Sequence, residues 1–331
     1  MEFREIVGID VSKKTLDTHL YKQNQHKQFG NTSEAIRKLI QWASKHSEVS
    51  KEQMLFVFEH TGLYSYQLSL SLSDEDYNYA VISGLEIGKS MGITRGKDDR
   101  VDSKKIALYG YRLREELEPC RMSPKAIQVL KRYTLYRQRL VQQRAGFKTS
   151  LGEIKQVLKK KDNEFLFKSQ QRMIRKLDKE IEKLEKEMMA IINENQELQD
   201  IFDLIISITG IGPQTAYFMI CYTQAFTKFE TWRQFASYCG VAPFPNSSGT
   251  SLRGKTKTSS LANKKVKAII DQAAKSAIQY NTELRLYYHR RVEEGKNKMS
   301  TINVVRNKLL ARIFAVVKRG TPYVDTLKYA N

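Results

Sequence analysis

A short apolar segment near the start of the chain, residues 6–11, carries an acidic side chain. Its β-branched and small apolar residues are typical of a buried strand, and Asp10 interrupts them. A carboxylate that loses its hydration needs a charged or hydrogen-bonding partner. The segment therefore predicts a central strand with a polar site at its end.

Three further acids lie where other elements are expected to begin or end. Glu59 ends an apolar segment that starts at Met54, and Asp99 and Asp102 lie three residues apart at an expected helix start, so the last two share a helix face. Clustered carboxylates repel one another unless a divalent cation lies between them, and oxygen ligands favour Mg²⁺ or Mn²⁺. We expect Asp98 to lie off this face.

Each acid also has an ordinary structural interpretation. Asp10 could cap a turn and Glu59 could be a solvated strand end, while Asp99 and Asp102 could be N-cap and first-turn residues favoured by the helix dipole. The order of all four along the chain favours a metal site. Two cations held there would stabilise the attacking and leaving oxygens of a phosphoryl transfer.

The N-terminal part of the chain alternates between strand-like and helix-like segments. Three strands come first, at residues 6–11, 16–21 and 26–29, followed by a helix at 33–43 with Ser33 as its cap. A strand at 55–58, a helix at 64–72, a strand at 79–82, a short helix near 85 and a helix at 101–113 complete the series. This order is that of a ribonuclease-H-like domain, in which the first and fourth strands are neighbours.

A long helix is predicted to open at Ser123 and Pro124. One of its faces is basic, and tyrosines lie between the charges: Lys131, Arg132, Arg137, Arg139, Arg144 and Lys148, with Tyr133 and Tyr136. Such a face could follow a nucleic-acid backbone, or it could simply be solvated.

A heptad seam follows, with apolar residues at alternating steps of three and four from Ile174 to Ile205. It predicts a coiled coil, either folded back on the preceding helix or paired with another protomer, in which Asn195 fixes the register. We expect self-association.

Two glycine-containing segments come next. Gly210 and Gly212 form a turn like that of a helix-hairpin-helix motif, which can bind a phosphate or simply connect helices. Residues 236–255 read as a loop between helices, with serines and with Arg253 and Lys255. A serine in a basic loop can attack phosphorus, although most such loops are only connections.

The whole chain is strongly basic. It has 331 residues, 41% of them apolar, and a net charge of +20 at pH 7, which favours two or three globular domains. Because lysine and arginine are spread along the chain, we expect nucleic acid, not membrane, as the partner. Three distant cysteines give neither a disulfide framework nor a zinc spacing. With no recognisable signal peptide or spanning helix, a soluble, cytoplasmic protein is expected.

Taken together, these segments resemble the DEDD transposases of the insertion sequence one-ten family, whose organisation Piv-type DNA invertases share. The matching segments are Val7-Gly-Ile-Asp-Val-Ser12, Phe58-Glu-His-Thr-Gly62, Lys97-Asp-Asp-Arg-Val-Asp-Ser103 with Ile106-Ala107, the glycine turn within 204–216, and Gly240-Val-Ala-Pro243 with Ser248-Gly249. They follow the family's order and cover nearly the whole chain.

The resemblance implies an α/β fold followed by an all-α part. A RuvC-like DEDD catalytic domain of the ribonuclease H fold is expected at residues 1–118, a helical coiled-coil domain at 119–203, and a C-terminal transposase domain at 204–331. It also implies catalytic and metal-binding roles for four acids and a nucleophilic role for one serine, namely Asp10, Glu59, Asp99, Asp102 and Ser248. The neighbouring Ser247 is excluded.

The sequence departs from the family pattern just beyond this serine. Ser260 and Ala262 replace a usual lysine and glycine, and Lys267 replaces a usual arginine. These differences affect the assignment of basic residues and leave Ser248 unchanged.

The resemblance further implies an RNA-guided recombinase. Family members use a noncoding RNA, encoded by the element, that pairs with donor and target DNA. We expect a homodimer or homotetramer in a bacterial, nucleoid-associated setting. Two other functions stay open: a RuvC-like structure-specific nuclease, resolvase or site-specific invertase, and a catalytically inactive nucleic-acid-binding scaffold.

Overall fold

The computed structural model describes residues 2–90, 99–248 and 252–325. Packing divides the chain into two compact units, residues 1–122 and 123–331. The first unit is α/β and the second is almost entirely helical, which agrees with the predicted combination of an α/β and an all-α part. Among the described helices, none has both the length and the apolar character needed to cross a membrane.

The first unit is built on a five-stranded mixed sheet. Its strands are β1 (Glu5–Val11), β2 (Thr15–Leu20), β3 (Gln25–Gly30), β4 (Met54–Glu59) and β5 (Asn78–Ile82). They lie in the order β3-β2-β1-β4-β5, with β1, β4 and β5 parallel and β2 and β3 antiparallel to their neighbours. The prediction that the first and fourth strands are adjacent is confirmed.

Among the described residues, four helices accompany this sheet: α1 (Ser33–His46), α2 (Tyr66–Asp74), α3 (Gly84–Ser90) and α4 (Asp99–Arg112). Their positions agree with the predicted ones to within a few residues. The predicted cap of α1 is wrong by one position, because Thr32, and not Ser33, has the extended backbone of a cap and accepts a hydrogen bond from the Ala35 amide.

The two faces of β1 pack against different helices. Val7 and Ile9 pack into a core with Ile36 and Leu39 of α1. Ile6 belongs to a separate core on the opposite face, which includes residues of α4. Because side chains alternate along a strand, Asp10 lies on the α4 face with Ile6 and Gly8.

Helix α4 lies directly against β1 because the strand has a glycine at the contact. A Cβ on Gly8 would lie 2.3 Å from the backbone nitrogen of Ala107. Gly110 fits in the same way, since its Cβ would lie 2.8 Å from side-chain carbons of Ile6 and Val57. The close packing fixes the height of α4 above the sheet.

In the second unit, the part of the chain that the structure describes forms one continuous core, with residues from Ile127 to Val316. Its elements are α5 (Lys125–Val157), α6 (Glu164–Asn193), α7 (Gln196–Ile206), α8 (Pro213–Thr223), α9 (Trp232–Tyr238), β6 (Pro243–Ser248), β7 (Leu252–Thr258), α10 (Lys264–Tyr280), α11 (Thr282–Glu293) and α12 (Lys298–Arg319). The division into modules at residues 119–203 and 204–331 stays a prediction, and both segments contribute to this one core.

Helices α5 and α6 form an antiparallel hairpin within the chain. Ile181, Leu184 and Met188 of the predicted seam are buried in the core that also contains Leu130 and Leu140 of α5. Of the two arrangements left open by the sequence, the structure therefore shows the seam folded back on the preceding helix.

The prediction that Asn195 is a seam residue is wrong. Helix α6 ends at Asn193, and Asn195 is the N-cap of α7. Oδ1 of Asn195 accepts a hydrogen bond from the Leu198 amide at 3.1 Å. A short polar side chain satisfies a free helix amide better than it packs in a seam. The heptad pattern continues across two helices because both bury an apolar face.

The predicted loop between α9 and α10 is also wrong, because the structure has a β-hairpin there. Strands β6 and β7 pair antiparallel, with a shift of register between Phe244 and Asn246. Pro245 lies at that shift, and proline has no amide hydrogen to donate to a ladder. The bulge allows a proline-containing segment to form a strand.

Candidate active site

The four predicted acids lie at one end of the first unit. Asp10 is near the end of β1, Glu59 is the last residue of β4, and Asp99 and Asp102 occupy the first turn of α4. Pairing of Ile9 with Phe58 brings Asp10 and Glu59 to neighbouring positions on parallel strands. Elements far apart in sequence thus converge at one edge of the sheet.

The electrostatics of Asp10 reflect this convergence. Burial and the charges of nearby acids raise the pKa of its carboxyl from 3.8 to about 6, and those acids are Asp99, Asp102, Asp17 and Glu59. Each additional negative charge makes the ionised form of Asp10 less favourable. At neutral pH the cluster is therefore an environment that favours a positive charge.

Glu59 is held close to the start of α3. A Cβ added to Gly84 would lie 2.1 Å from Oε1 of Glu59. Any larger residue at position 84 would push this carboxylate away from its present position. The glycine is therefore needed to accommodate an acid of the cluster.

One acid of the cluster already has a cationic partner. Asp102 Oδ1 accepts a hydrogen bond from Lys105 Nζ at 2.8 Å, one helix turn away. Within residues 2–90, 99–248 and 252–325, no three His, Cys, Asp or Glu side chains are arranged to hold a metal ion. Asp10, Glu59, Asp99 and Asp102 are close enough for their charges to interact, but their side chains are not close enough together to bind one metal ion. Their oxygen atoms nevertheless suit Mg²⁺ or Mn²⁺ chemically.

A fifth acid, Asp17, was missed by the sequence reasoning. It pairs with Asp10 across β1 and β2, and only 4% of it is exposed. Its two carboxylate oxygens lie 3.1 Å from His26 Nε2 and 3.0 Å from Gln28 Nε2. Directly opposed residues of antiparallel strands share a face. The sequence carries no separate signal for Asp17, because Leu16 and Leu20 lie on the other face and a polar residue at position 17 fits the ordinary alternation of a half-buried strand.

His19 lies on the same face, two residues further along β2. It is 4% exposed, and neither ring nitrogen has a hydrogen-bond partner in the part of the chain that the structure describes. Burial, together with nearby Lys104, His26 and Arg100, lowers the pKa of His19 to about 4. The imidazole is therefore neutral at physiological pH and adds no charge to the acid cluster.

We expect the Asp17→Asn variant to lower the pKa of Asp10 from about 6. Removing one negative charge from the shared face makes ionisation of Asp10 easier. Carboxyl carbon chemical shifts followed over a pH titration would measure the change. Asp74→Asn, at the exposed end of α2, is the control and should leave the titration of Asp10 unaltered. An unchanged midpoint in Asp17→Asn would contradict the electrostatic coupling.

The predicted nucleic-acid-binding residues of α5 have different surroundings. Arg137 Nε lies 2.6 Å from a Glu185 oxygen and one guanidinium nitrogen of Arg144 lies 2.8 Å from an Asp178 oxygen, so both join α5 to α6. Lys131 is exposed, but its Nζ lies 5.2 Å from the centre of the Tyr222 ring, where partial loss of hydration lowers the pKa of the amine. Arg132 contacts Gln128 and is exposed.

The predicted single basic face is therefore divided. Arg137 and Arg144 are committed to ion pairs within the helical hairpin and do not lie on an open surface. The sequence pattern places both arginines on a basic face of α5. Their acidic partners lie on α6, distant in sequence, and approach them only after the chain folds back. A nucleic-acid role for these two arginines would require the ion pairs to break.

The two glycines of the turn before α8 serve different purposes. Gly210 has a φ of +96°, and a Cβ there would lie 2.5 Å from Cα of Ala277 in α10. Gly212 is the N-cap of α8, and a Cβ there would meet nothing within 4 Å. Packing explains Gly210, whereas Gly212 leaves an open approach to the helix amides.

We expect Gly210→Ala to destabilise the protein by about 2–4 kcal/mol, from backbone strain and from overpacking against α10. Gly212→Ala is the matched control and should alter the free energy of unfolding by less than about 1 kcal/mol. Urea denaturation followed by circular dichroism would measure both. Equal effects of the two substitutions would contradict the packing explanation.

Ser248 is the last described residue of β6, and it pairs with Leu252 at the start of β7. Residues 249–251 lie outside the described residues, as do the side chains of Ser248, Arg253 and Lys255. The backbone places the serine at the far end of a hairpin.

The base of this hairpin is firmly held. Asn303 and Asn307 of α12 both donate to the carbonyl oxygen of Val241, at 2.9 and 3.0 Å. Asn263, which follows β7, donates to the Tyr238 hydroxyl at 2.8 Å. Both ends of the hairpin are thus anchored to the helical core.

A cluster of acids at the ends of two parallel strands and at the start of a helix, in a chain with a net charge of +20, is typical of enzymes that act on phosphodiesters of nucleic acid. Comparison with known proteins gives the family. A family model for the DEDD domain of IS110 elements, described as "Transposase", matches residues 7–160. A second, "Transposase IS116/IS110/IS902 family", matches residues 203–289. The chain belongs to the IS110 family of transposases and is a DNA recombinase or transposase.

Individual relatives agree with this assignment. The chain is 25% identical over 329 residues to the pilin gene-inverting protein of Moraxella bovis, covering 96% of this chain and 97% of the relative. It is similarly 25% identical, over the same shares, to the pilin gene-inverting protein of Moraxella lacunata. An insertion element IS110 43.6 kDa protein of Streptomyces coelicolor is 28% identical over 134 residues, which are 40% of this chain and 33% of that protein.

Proposed function

We propose that this protein is an insertion-sequence transposase that exchanges DNA strands under the guidance of a noncoding RNA, through attack of Ser248 on a DNA phosphodiester. The observation that supports a metal-dependent strand transfer is the convergence of Asp10, Glu59, Asp99 and Asp102 at one edge of the sheet, where burial and the neighbouring acids raise the pKa of Asp10 to about 6. Such a cluster is unfavourable in a resting protein and is expected where a cation participates in function. The RuvC-like interpretation of the first unit is part of this proposal.

Asp10, Glu59, Asp99 and Asp102 are the residues that would hold Mg²⁺ or Mn²⁺. A bound cation would supply positive charge to the phosphoryl oxygens during strand transfer. Lys105 forms an ion pair with Asp102 and would have to release one of its oxygens. The side chains would also have to turn toward the cation, because their present arrangement is not a ligand set.

The proposed chemistry of Ser248 is a transesterification. Its Oγ forms a bond to phosphorus while the bond from phosphorus to one sugar oxygen breaks. The serine proton leaves to water, and the departing sugar oxygen takes up a proton. Reversal of the same step by another DNA hydroxyl would rejoin the strand and release the serine.

The guide RNA and the assembly are supported by charge and by the requirements of the reaction. A net charge of +20 suits a complex that contains both RNA and DNA. Sequence would be read by base pairing, while basic residues such as Lys131, Arg132, Arg253 and Lys255 contact backbones. Because strand exchange involves two DNA duplexes, we propose that the protein acts as a homodimer or homotetramer at the bacterial nucleoid. Light scattering would measure the mass of this assembly.

Site-specific DNA inversion is the second candidate. The observation that favours it is similarity over 96% of the chain to two proteins named for inverting a pilin gene. Inversion and transposition share the cutting and rejoining of strands and differ in how the sites are arranged. The same acids and serine would serve both.

The test uses purified protein, the RNA that co-purifies with it, and two plasmids, one carrying element ends and the other carrying inverted sites. Sequencing the co-purified RNA would identify the pairing segments from which both plasmids are built. Transposition predicts Mg²⁺-dependent joining of donor to target that ribonuclease abolishes. Inversion without dependence on RNA would instead support the second candidate, and simple strand cleavage without rejoining would contradict both.

A further inference from the structure

A pocket lies beside the base of the β6–β7 hairpin, within the second unit. Its volume is about 480 Å³, and it is lined by Ser237, Phe244, Lys257, Thr258, Ser259 and Leu261. Small-molecule and nucleotide sites in proteins have volumes of roughly 300–1,000 Å³. The pocket is therefore large enough for a nucleobase with part of its sugar.

The lining combines apolar surface with hydroxyl groups and one ammonium group. Phe244 is 44% exposed and Leu261 is 57% exposed. Ser259 Oγ already accepts a hydrogen bond from the Leu261 amide at 3.0 Å, so its hydroxyl hydrogen can still be donated. Phe244 pairs directly with Lys257 across the hairpin, which places an aromatic ring and a cation on one face.

We propose that this pocket binds an unpaired base of the DNA strand that the protein cuts, with the base stacked on Phe244 and a neighbouring phosphate on Lys257. A planar base offers a face to the exposed ring, and its polar edge can accept or donate hydrogen bonds to the hydroxyls. An apolar peptide would leave the ammonium and the hydroxyls without partners. The ligand class is therefore a single-stranded nucleotide.

The position of the pocket favours DNA over RNA as the source of this nucleotide. Phe244 and Ser248 belong to the same strand, four residues apart, so they are separated by about 13 Å at ~3.3 Å per residue. A strand whose phosphate reaches Ser248 would place a base from a nearby nucleotide at Phe244. This choice of strand rests on the proposed function of Ser248, whereas the binding of an unpaired base does not.

The test measures binding of the full-length protein to a single-stranded DNA oligonucleotide that carries 2-aminopurine, whose fluorescence falls when it stacks. We expect Phe244→Ala to weaken binding by roughly 5-fold to 150-fold and to restore fluorescence, since stacking contributes about 1–3 kcal/mol per base. Phe244→Trp should retain the quenching. Lys257→Met should make the negative slope of log affinity against log salt concentration shallower by about 0.7, because one phosphate contact is lost.

Tyr280→Ala is the matched control, because Tyr280 is an aromatic residue that is 64% exposed outside the pocket. Equal affinity and quenching in wild type and Phe244→Ala would overturn the proposal, as would an equal loss in the control. The assignment to DNA would be overturned if the protein quenched 2-aminopurine in an RNA oligonucleotide but not in DNA, and if Phe244→Ala abolished the quenching in RNA. Melting temperatures of the variants would exclude unfolding as the cause. Because none of these measurements requires strand cleavage, a failure of Ser248 as nucleophile would be seen separately.

Discussion

The Asp10→Asn variant is expected to lose recombination and at the same time to unfold less readily at neutral pH when divalent metal is absent. Both effects follow from the same ionised carboxylate. Burial and neighbouring acids raise the pKa of Asp10 from 3.8 to about 6. Its ionised form is therefore a source of instability in the metal-free fold, and asparagine removes that charge while keeping the shape.

The sign of the pH dependence follows from proton binding. Between pH 3.8 and about pH 6 the folded protein binds more protons at Asp10 than the unfolded chain does. Stability therefore falls as pH rises through this range. The loss is complete above it and amounts to at most about 3 kcal/mol, taking about 1.4 kcal/mol per pKa unit. The advantage of asparagine should appear at pH 7.5 and be absent below pH 3.8.

Urea denaturation in EDTA, at pH 7.5 and at pH 3.5, would measure the stability of both proteins, and a plasmid recombination assay would measure activity. Adding Mg²⁺ should stabilise wild type and have little effect on Asp10→Asn, because ligand binding stabilises only the fold that binds it. Asp74→Asn, an exposed acid of α2, should behave as wild type throughout. Retained recombination in Asp10→Asn, or a lower stability at pH 7.5, would contradict the role of Asp10.

The sequence predicts the first unit well because its signals are local. The apolar strand around Asp10 and the acids at the ends of later elements determine which residues meet once β1 and β4 pair. Asp17 was missed because its importance comes from the antiparallel register with Asp10. A register of this kind depends on the turn between β1 and β2, and no single residue reveals it.

The second unit was harder to predict because its contacts join distant residues. The acid partners of Arg137 and Arg144 lie 48 and 34 residues away, on α6. Gly210 faces Ala277 of α10, a neighbour that turn chemistry alone does not suggest. In each case the type of residue could be predicted from the sequence, but its partner could not.

The β6–β7 hairpin, which carries Ser248, could not be predicted from local sequence signals either. Prolines and glycines from 236 to 255 favour a loop, yet the chain forms two paired strands with a bulge at Pro245. The anchoring of Val241 by two asparagines of α12 holds the segment in this form. If Ser248 is the nucleophile, as we propose, the anchored hairpin would position it better than a free loop would.

Ser248→Ala is expected to abolish the covalent protein–DNA intermediate and to lower single-turnover recombination by roughly three orders of magnitude or more, as loss of a nucleophile does in other enzymes. A serine hydroxyl is weakly acidic, and residues 243–258 contain no carboxylate or imidazole to activate it. Activation must therefore come from outside the hairpin. The acid cluster is the candidate source, so Asp10→Asn should also prevent formation of the adduct.

A DNA substrate that loses its leaving strand would trap the adduct, and mass spectrometry would locate the modified residue. We expect phosphodiester attachment at Ser248 in wild type and in the control Ser247→Ala, which retains the neighbouring hydroxyl. Because the ester keeps the energy of the broken bond, rejoining should proceed without ATP when a DNA hydroxyl is supplied. An adduct at Ser247 or at a tyrosine would transfer the nucleophilic role to that residue. Recombination without any adduct would instead favour direct attack by a DNA hydroxyl, and the hairpin would then serve only to bind the strand.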